Sequence, residues 1–275
     1  MKRSKNVWVC NGGATVSQRK NRYADGWVSH PSKNYPCVTK RIIETISQPG
    51  ETILDPMCGI GTTLVEAMDL GRNTFGVDIE PAFAKIARTN VQLAQKRGAG
   101  VAGSVVQGDA RDLSKILKEK VDHVVMSPPF GFELVTKHQK GLKSSRPKGK
   151  KYLKGFETQG NVAFSSTGRS PPDSGYSESM LRIYQECFGA LRENGKLAII
   201  LRNGYRKGDE VDLIGETIQI CKKAGFQLKG RIVHVLSGIS LWRIKQLEWD
   251  RSRIPDYTET VLVFQKPGVS TGGTK

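Results

Sequence analysis

Two short stretches hold residue types that could do chemistry. In Asp55-Pro56-Met57-Cys58-Gly59-Ile60-Gly61-Thr62-Thr63, two glycines one residue apart let the backbone turn sharply and come close to a ligand. The spacing is selective. A dinucleotide turn wants a third glycine where Leu64 stands, and a phosphate-gripping loop needs a lysine after the second glycine, where there is none. In Ser127-Pro128-Pro129-Phe130 the prolines remove backbone donors and fix φ, leaving a rigid corner of free carbonyls beside a hydroxyl and an aromatic ring.

Both stretches need strands to position them. Ile53-Leu54 ends an apolar run too brief for a helix and right for a buried strand. After the glycines, Leu64, Val65, Ala67 and Met68 recur at helical spacing, with Thr62 and Thr63 opening the helix and Gly71 as its stop. Strand, glycine turn and helix make the unit with which a parallel α/β sheet holds a nucleotide-like cofactor at the carboxyl ends of its strands. Thr74–Asp78 is a second strand ending in an acid, followed by a helix from Pro81 to Ala94, and 105–110 is a third. Asp122–Met126 is a fourth, ended by the proline corner, which in a parallel sheet lies beside the cofactor end of the central strand. A helix from Glu178 to Leu191, a strand at 197–201, a helix over 209–224 and an antiparallel pair at 227–235 and 259–264 complete the pattern. Upstream, an amphipathic helix from Val38 through Ile46 precedes Pro49-Gly50 and the central strand.

Asp55–Thr63 resembles the first motif of S-adenosylmethionine-dependent methyltransferases, in the variety found in amino-group DNA methyltransferases, and Ser127–Phe130 resembles their catalytic tetrapeptide. The run His30-Pro31-Ser32-Lys33-Asn34-Tyr35-Pro36 resembles their accessory cofactor motif. The resemblance covers roughly His30 to Lys266. It implies a Rossmann-like methyltransferase fold of class α/β, with a mostly parallel seven-stranded sheet and an antiparallel final pair. It implies S-adenosyl-L-methionine as cofactor, held by His30, Lys33, Tyr35, Asp55, Met57, Cys58, Gly59, Gly61, Thr62 and Thr63. Asp78, with Ile79 beside it, is the expected ligand of the cofactor sugar, since a carboxylate can accept from both ribose hydroxyls; Glu80 is the second choice, and a cap for the following helix is the plain alternative. Asp109, with Ala110, stands where such enzymes hold the adenine amino group, although Asp109 could equally cap the turn at Arg111-Asp112.

The implied chemistry explains the corner. A nucleobase amine is a poor nucleophile because its lone pair is delocalised into the ring. Accepting its two hydrogens at the Ser127 hydroxyl and the Pro128 carbonyl favours a more tetrahedral nitrogen aimed at the sulfonium methyl, and alignment of this kind can supply ~7–11 kcal/mol of the barrier. Pro129 stiffens the corner, and Phe130 would stack on a base that has been flipped out of its duplex. Serine at position 127 leans the target to cytosine N4 in DNA, with adenine N6 as the alternative. A C5-cytosine enzyme would need Pro-Cys after the fourth strand, but Pro36-Cys37 precedes the glycine turn. An RNA guanine-N2 methyltransferase is the nearest rival, fitted by Cys58 and Gly131; a catalytically silent nucleic-acid-binding subunit is another.

The formal charge of +17, from 43 basic and 26 acidic residues, points to a polyanionic partner. Residues 1–29 read as a basic arm, 30–268 as the catalytic domain and 269–275 as a tail. Within the domain, 131–177 carries nine basic residues against three acids, with aromatics interspersed. Lys137, Lys140, Lys143, Arg146, Lys148, Lys150 and Lys151 are expected to grip nucleic acid, and Trp242 and Arg243 to belong to a target-recognition element. Nothing reads as a signal peptide or a bilayer-spanning run, so a cytoplasmic, intracellular protein is expected. Cys10, Cys37, Cys58, Cys187 and Cys221 are odd in number and lack a C-x-x-C pair, so they read as reduced thiols rather than bridges or a zinc site, and no metal is expected.

Overall fold

The structure is a computed structural model, and it describes residues 6–10, 15–25, 34–129, 174–206, 209–235 and 258–268. The strands are β1 (Val7–Val9), β2 (Thr52–Asp55), β3 (Asn73–Asp78), β4 (Gly103–Gln107), β5 (Val121–Met126), β6 (Leu191–Leu201), β7 (Gly204–Arg206), β8 (Asp209–Val211), β9 (Gln227–Val235) and β10 (Thr258–Gln265). The helices are α1 (Thr15–Arg19), α2 (Pro36–Ile46), α3 (Thr62–Asp69), α4 (Pro81–Lys96), α5 (Leu113–Ile116), α6 (Ser174–Ala190) and α7 (Leu213–Lys223). Among the described residues, no helix is long and apolar enough to cross a membrane.

Eight strands form one sheet in the order β1-β9-β10-β6-β5-β2-β3-β4. The pairs β4-β3, β3-β2, β2-β5, β5-β6 and β9-β1 are parallel, while β10 runs antiparallel to both β6 and β9. Seven strands are expected from the sequence; the eighth is β1, in which Val7, Trp8 and Val9 pair with Val233, His234 and Val235. Three residues followed by Gly12-Gly13 carry too little period to announce a strand. This part of the basic arm is built into the sheet edge.

Helices cover both faces, which is why the central strands are apolar at nearly every position. The side chains divide by the period of two. Leu54, Val124, Met126, Leu197, Ile199 and Leu201 pack in the core with α6 and α7, whereas Ile53, Val125, Ala198 and Ile200 pack in the core with α2. The fixed φ of Pro36 suits the first turn of α2. Its Val38, Ile42, Ile43 and Ile46 are buried at helical spacing, worth roughly 1.5–3 kcal/mol each. A continuous helix is expected over 209–224, but the chain first closes a hairpin of β7 with β8, and α7 begins at Leu213 because the Asp212 carboxylate caps it by accepting from the Gly215 amide at 2.9 Å.

One cysteine assignment changes. Cys10, just after β1, and Cys37, in the first turn of α2, form a disulfide, while Cys58, Cys187 and Cys221 are free and buried. Spacing along the chain gives no hint of this pair, because the sheet edge and α2 bring together residues 27 apart.

Candidate active site

The glycine turn leaves β2 at Asp55 and reaches α3 at Thr62. Gly59 and Gly61 both have positive φ, +53° and +82°, so the backbone reverses within three residues. At Gly61 a side chain would also meet Ala87 of α4, with an added Cβ 3.2 Å from the Ala87 Cβ. Close helix packing and backbone conformation together demand glycine there. The turn spends several amides on itself: Cys58 donates to the Val77 carbonyl at 2.9 Å, Gly61 to the Cys58 carbonyl at 2.7 Å and Met57 to the Asp55 carboxylate at 3.1 Å.

Asp78, at the end of β3, supports this turn from the neighbouring strand. One carboxylate oxygen accepts from the Gly59 amide at 2.7 Å and the other from the Glu80 amide at 2.9 Å. A carboxylate offers about four lone-pair positions, so two remain for the hydroxyls of a ribose. The residues fit a nucleoside cofactor on that count. Glu80 stands at the N-cap position of α4 without capping the helix through its side chain, and Asp78 braces the glycine turn instead of occupying that position. Ile79 is half-buried beside it and Glu80 is buried.

Burial dominates the electrostatics here. It pushes the Asp55 carboxyl up to about 7 and the Asp78 carboxyl up to about 6. The same desolvation drives the Cys58 thiol well above its ordinary range, so Cys58 is a packed apolar group and not a nucleophile. Asp109, after β4, has a partner of its own. Against the raising effect of burial, the Arg111 guanidinium holds its carboxyl below the usual range, with Nη2 to Oδ2 at 2.5 Å, and the Arg111 amide also donates to it at 2.9 Å. The capping alternative for Asp109 is thus realised, and Ala110 is buried next to it in a single 3₁₀ turn.

The proline corner leaves the adjacent strand. β2 and β5 are hydrogen-bonded parallel neighbours, with Ile53 opposite His123 and Leu54 opposite Val124. Three residues beyond Leu54 and Val124 stand Met57 and Ser127, so both stretches leave the carboxyl ends of adjacent parallel strands. Ser127 and Pro129 are half-buried, Pro128 is buried, and the hydroxyl of Tyr176 on α6 donates to the Pro129 carbonyl at 2.9 Å. Tyr35 is half-buried at the cap of α2, its ring edge-on to His234 at 5.9 Å. Phe130, His30, Lys33, the lysines and arginine from Lys137 to Lys151, Trp242 and Arg243 lie outside the described residues.

Part of the site's support lies in the arm. Arg19 of α1 is fully buried and donates to the Thr62 hydroxyl at 3.2 Å and to the Asn34 carbonyl. Glu66 of α3 is buried, accepts from the Tyr23 hydroxyl at 2.9 Å and pairs with Arg22 at 2.9 Å. Asn90 of α4 accepts from the Ala24 amide at 2.7 Å and donates to the Ile60 carbonyl in the turn at 2.8 Å. Arg19 and Arg22 therefore brace the turn helix from behind; they are not free for a polyanion. Their charge pattern reads as surface, and only the acid at Glu66 hints at a buried partner.

A family model described as DNA methylase matches residues 2–89, and one described as methyltransferase domain matches residues 53–145. Over 98 residues the chain is 39% identical to a tRNA (guanine(10)-N2)-dimethyltransferase of Methanothermobacter thermautotrophicus, covering 35% of this chain and 27% of that protein. Over 91 residues it is 34% identical to the type II methyltransferase M2.DpnII of Streptococcus pneumoniae, covering 33% and 31%. The matched stretch thus spans about three tenths of these relatives' own lengths. Among solved structures, TrmN from Thermus thermophilus superposes with a TM-score of 0.52 at 18% identity, covering 91% of this chain and 53% of that one. A methyltransferase from Pyrococcus furiosus gives 0.50 at 15% identity, covering 86% and 87%. The chain thus has the Rossmann-like α/β fold of methyltransferases, and over about a third of its length it is similar in sequence both to a tRNA (guanine(10)-N2)-dimethyltransferase and to a type II methyltransferase.

Proposed function

We propose that this chain transfers a methyl group from S-adenosylmethionine, the cofactor that the methyltransferase domain and fold imply, to the exocyclic amine of a nucleobase, with cytosine N4 in DNA the favoured target. One observation carries the reading: the glycine turn and the Ser127–Pro129 corner leave the carboxyl ends of neighbouring parallel strands. A cofactor seated on the first would face an acceptor seated on the second.

The bound cofactor supplies a methyl group on a sulfonium centre. The chain's residues do the rest by positioning. Asp78 keeps lone pairs for the ribose, and the glycine turn lets the backbone approach. The Ser127 hydroxyl and the Pro128 carbonyl accept the two amine hydrogens, which directs the nitrogen lone pair away from them; once the nitrogen has taken the methyl group, one of these hydrogens leaves as a proton to solvent. Phe130 stacks on the base, a contact worth ~1–3 kcal/mol. Lys137, Lys140, Lys143, Arg146, Lys148, Lys150 and Lys151 supply charge for the phosphate backbone, with Trp242 and Arg243 reading the target. His30, Lys33 and Tyr35, from the accessory motif, contribute to cofactor binding.

The 39% identity to a tRNA guanine-N2 enzyme favours a second reading, an RNA guanine amine as target. Serine at position 127 speaks for DNA cytosine. Label transfer from radioactive cofactor to duplex DNA and to tRNA, followed by nucleoside analysis, separates them. Label in N4-methylcytosine is the expected result; label only in methylguanosine of tRNA assigns the second reading, and label only in N6-methyladenine rejects the cytosine assignment.

A further inference from the structure

Pro128 and Pro129 have no N–H, so at these two residues the backbone can hydrogen-bond only through its carbonyls. Tyr176 holds one of them. Its hydroxyl donates to the Pro129 carbonyl at 2.9 Å. The side chain is 2% exposed and belongs to the core cluster that also contains Leu54 of β2 and Met126 of β5, so its ring is held within the packed core. Burial raises its phenol above the ordinary value, which keeps the hydroxyl a donor. The bond also ties residue 129, leaving β5, to residue 176 at the start of α6.

Ring geometry carries this restraint one carbonyl further. The Pro129 ring locks φ near −65°. With the Pro129 carbonyl held, ψ of the same residue is the one soft torsion between it and the Pro128 carbonyl, because the intervening peptide is planar. The Pro128 carbonyl is the group assigned above to accept an amine hydrogen.

We infer that Tyr176 is a positioning residue for methyl transfer, setting the direction of the Pro128 carbonyl through its bond to Pro129. The inference rests on the corner being the reaction centre. Its buried ring would pack the same way without the hydroxyl. Misplacement of an aligned acceptor by about 1 Å costs on the order of 10²-fold in rate, so loss of this one oxygen should show in turnover and not in cofactor affinity.

Tyr176→Phe in the full chain tests it with three readouts: affinity for S-adenosylhomocysteine by calorimetry, kcat and KM for methyl transfer, and amide hydrogen exchange at Met126 and Ser127. The expected result is a fall in kcat of roughly 10- to 100-fold, with product affinity and cofactor KM within about twofold of the unaltered chain. Exchange should quicken at Met126 and Ser127 and stay unchanged at Thr63 and Leu64. Unaltered kcat, or unaltered exchange at the corner, overturns the inference. So does a parallel fall of kcat, product affinity and thermal midpoint, which marks a general structural role. An unaltered chain that methylates neither DNA nor tRNA overturns the proposed function and the positioning role with it, while the exchange data would then speak only to the contact itself.

Discussion

Asp78 and Gly59 are joined across two neighbouring strands: the Asp78 carboxylate accepts from the Gly59 amide at 2.7 Å. The acid at the end of β3 thus sets the shape of the turn after β2, and whatever binds one feels the state of the other.

This coupling has a pH signature. Burial raises Asp55 to about 7 and Asp78 to about 6, so the fold favours their neutral forms. Their contribution to stability is therefore full below the ordinary carboxylate value of about 4 and is lost as pH rises through 6 and 7, at up to about 1.4 kcal/mol per pH unit for each group. The thermal midpoint of the cofactor-free chain should fall between pH 5 and pH 8, and the double substitution of Asp55→Asn with Asp78→Asn should flatten that slope. Ribose hydroxyls donate to a charged carboxylate, so affinity for S-adenosylhomocysteine should tighten over the same range. Asp78→Asn should weaken binding about tenfold or more, given ~1.5–3 kcal/mol for a hydrogen bond to a charged group. Calorimetry at several pH values checks both; affinity independent of pH in the unaltered chain would contradict the assignment.

The support behind the turn should be costly to remove. Glu66 is 3% exposed and serves both Tyr23 and Arg22. Glu66→Ala leaves a buried phenol and a partly buried guanidinium without that partner, and should cost about 3 kcal/mol or more in urea unfolding. A loss below about 1 kcal/mol, the range of an exposed pair, would mean that the arm is not docked as described.

Thiol counting tests the link at the sheet edge. The unreduced chain, denatured and titrated with a thiol reagent, should show three reactive cysteines, Cys58, Cys187 and Cys221. Reduction should raise the count to five. Closing a loop of this length stabilises a fold by about 3–4 kcal/mol in the chain-entropy picture, so reduction should also lower the unfolding midpoint. Five thiols before reduction would remove the bridge.

Much of the site was legible in the sequence, because strand ends announce themselves. Leu54 and Met126 close apolar runs, with a glycine pair five residues after the first and a proline pair two residues after the second, which indicate both the strand type and the strand ends where ligands gather. The support was less legible. Arg19 and Arg22 look like solvated charge until Glu66, more than forty residues away, is brought against them. Tyr176 falls inside 131–177, read from the sequence as a basic insert ahead of a helix starting at Glu178, so its hydroxyl carries no signal until the helix is seen to begin at Ser174 and to bring it to the Pro129 carbonyl. β1 is too short to show a period. The Asp109 carboxylate could serve a ligand or its own turn on sequence grounds, and the structure shows its bonds to the amide and guanidinium of Arg111 in that turn.

The most direct test of the central claim is Ser127→Ala, followed by single-turnover methyl transfer and S-adenosylhomocysteine affinity on the same preparation. If the glycine turn holds the cofactor and the corner holds the amine, transfer should fall by on the order of 10²-fold while product affinity stays within about twofold, since only the reacting geometry is lost. Transfer at the unaltered rate would mean that the amine is held elsewhere, and the two strand ends would no longer share a reaction.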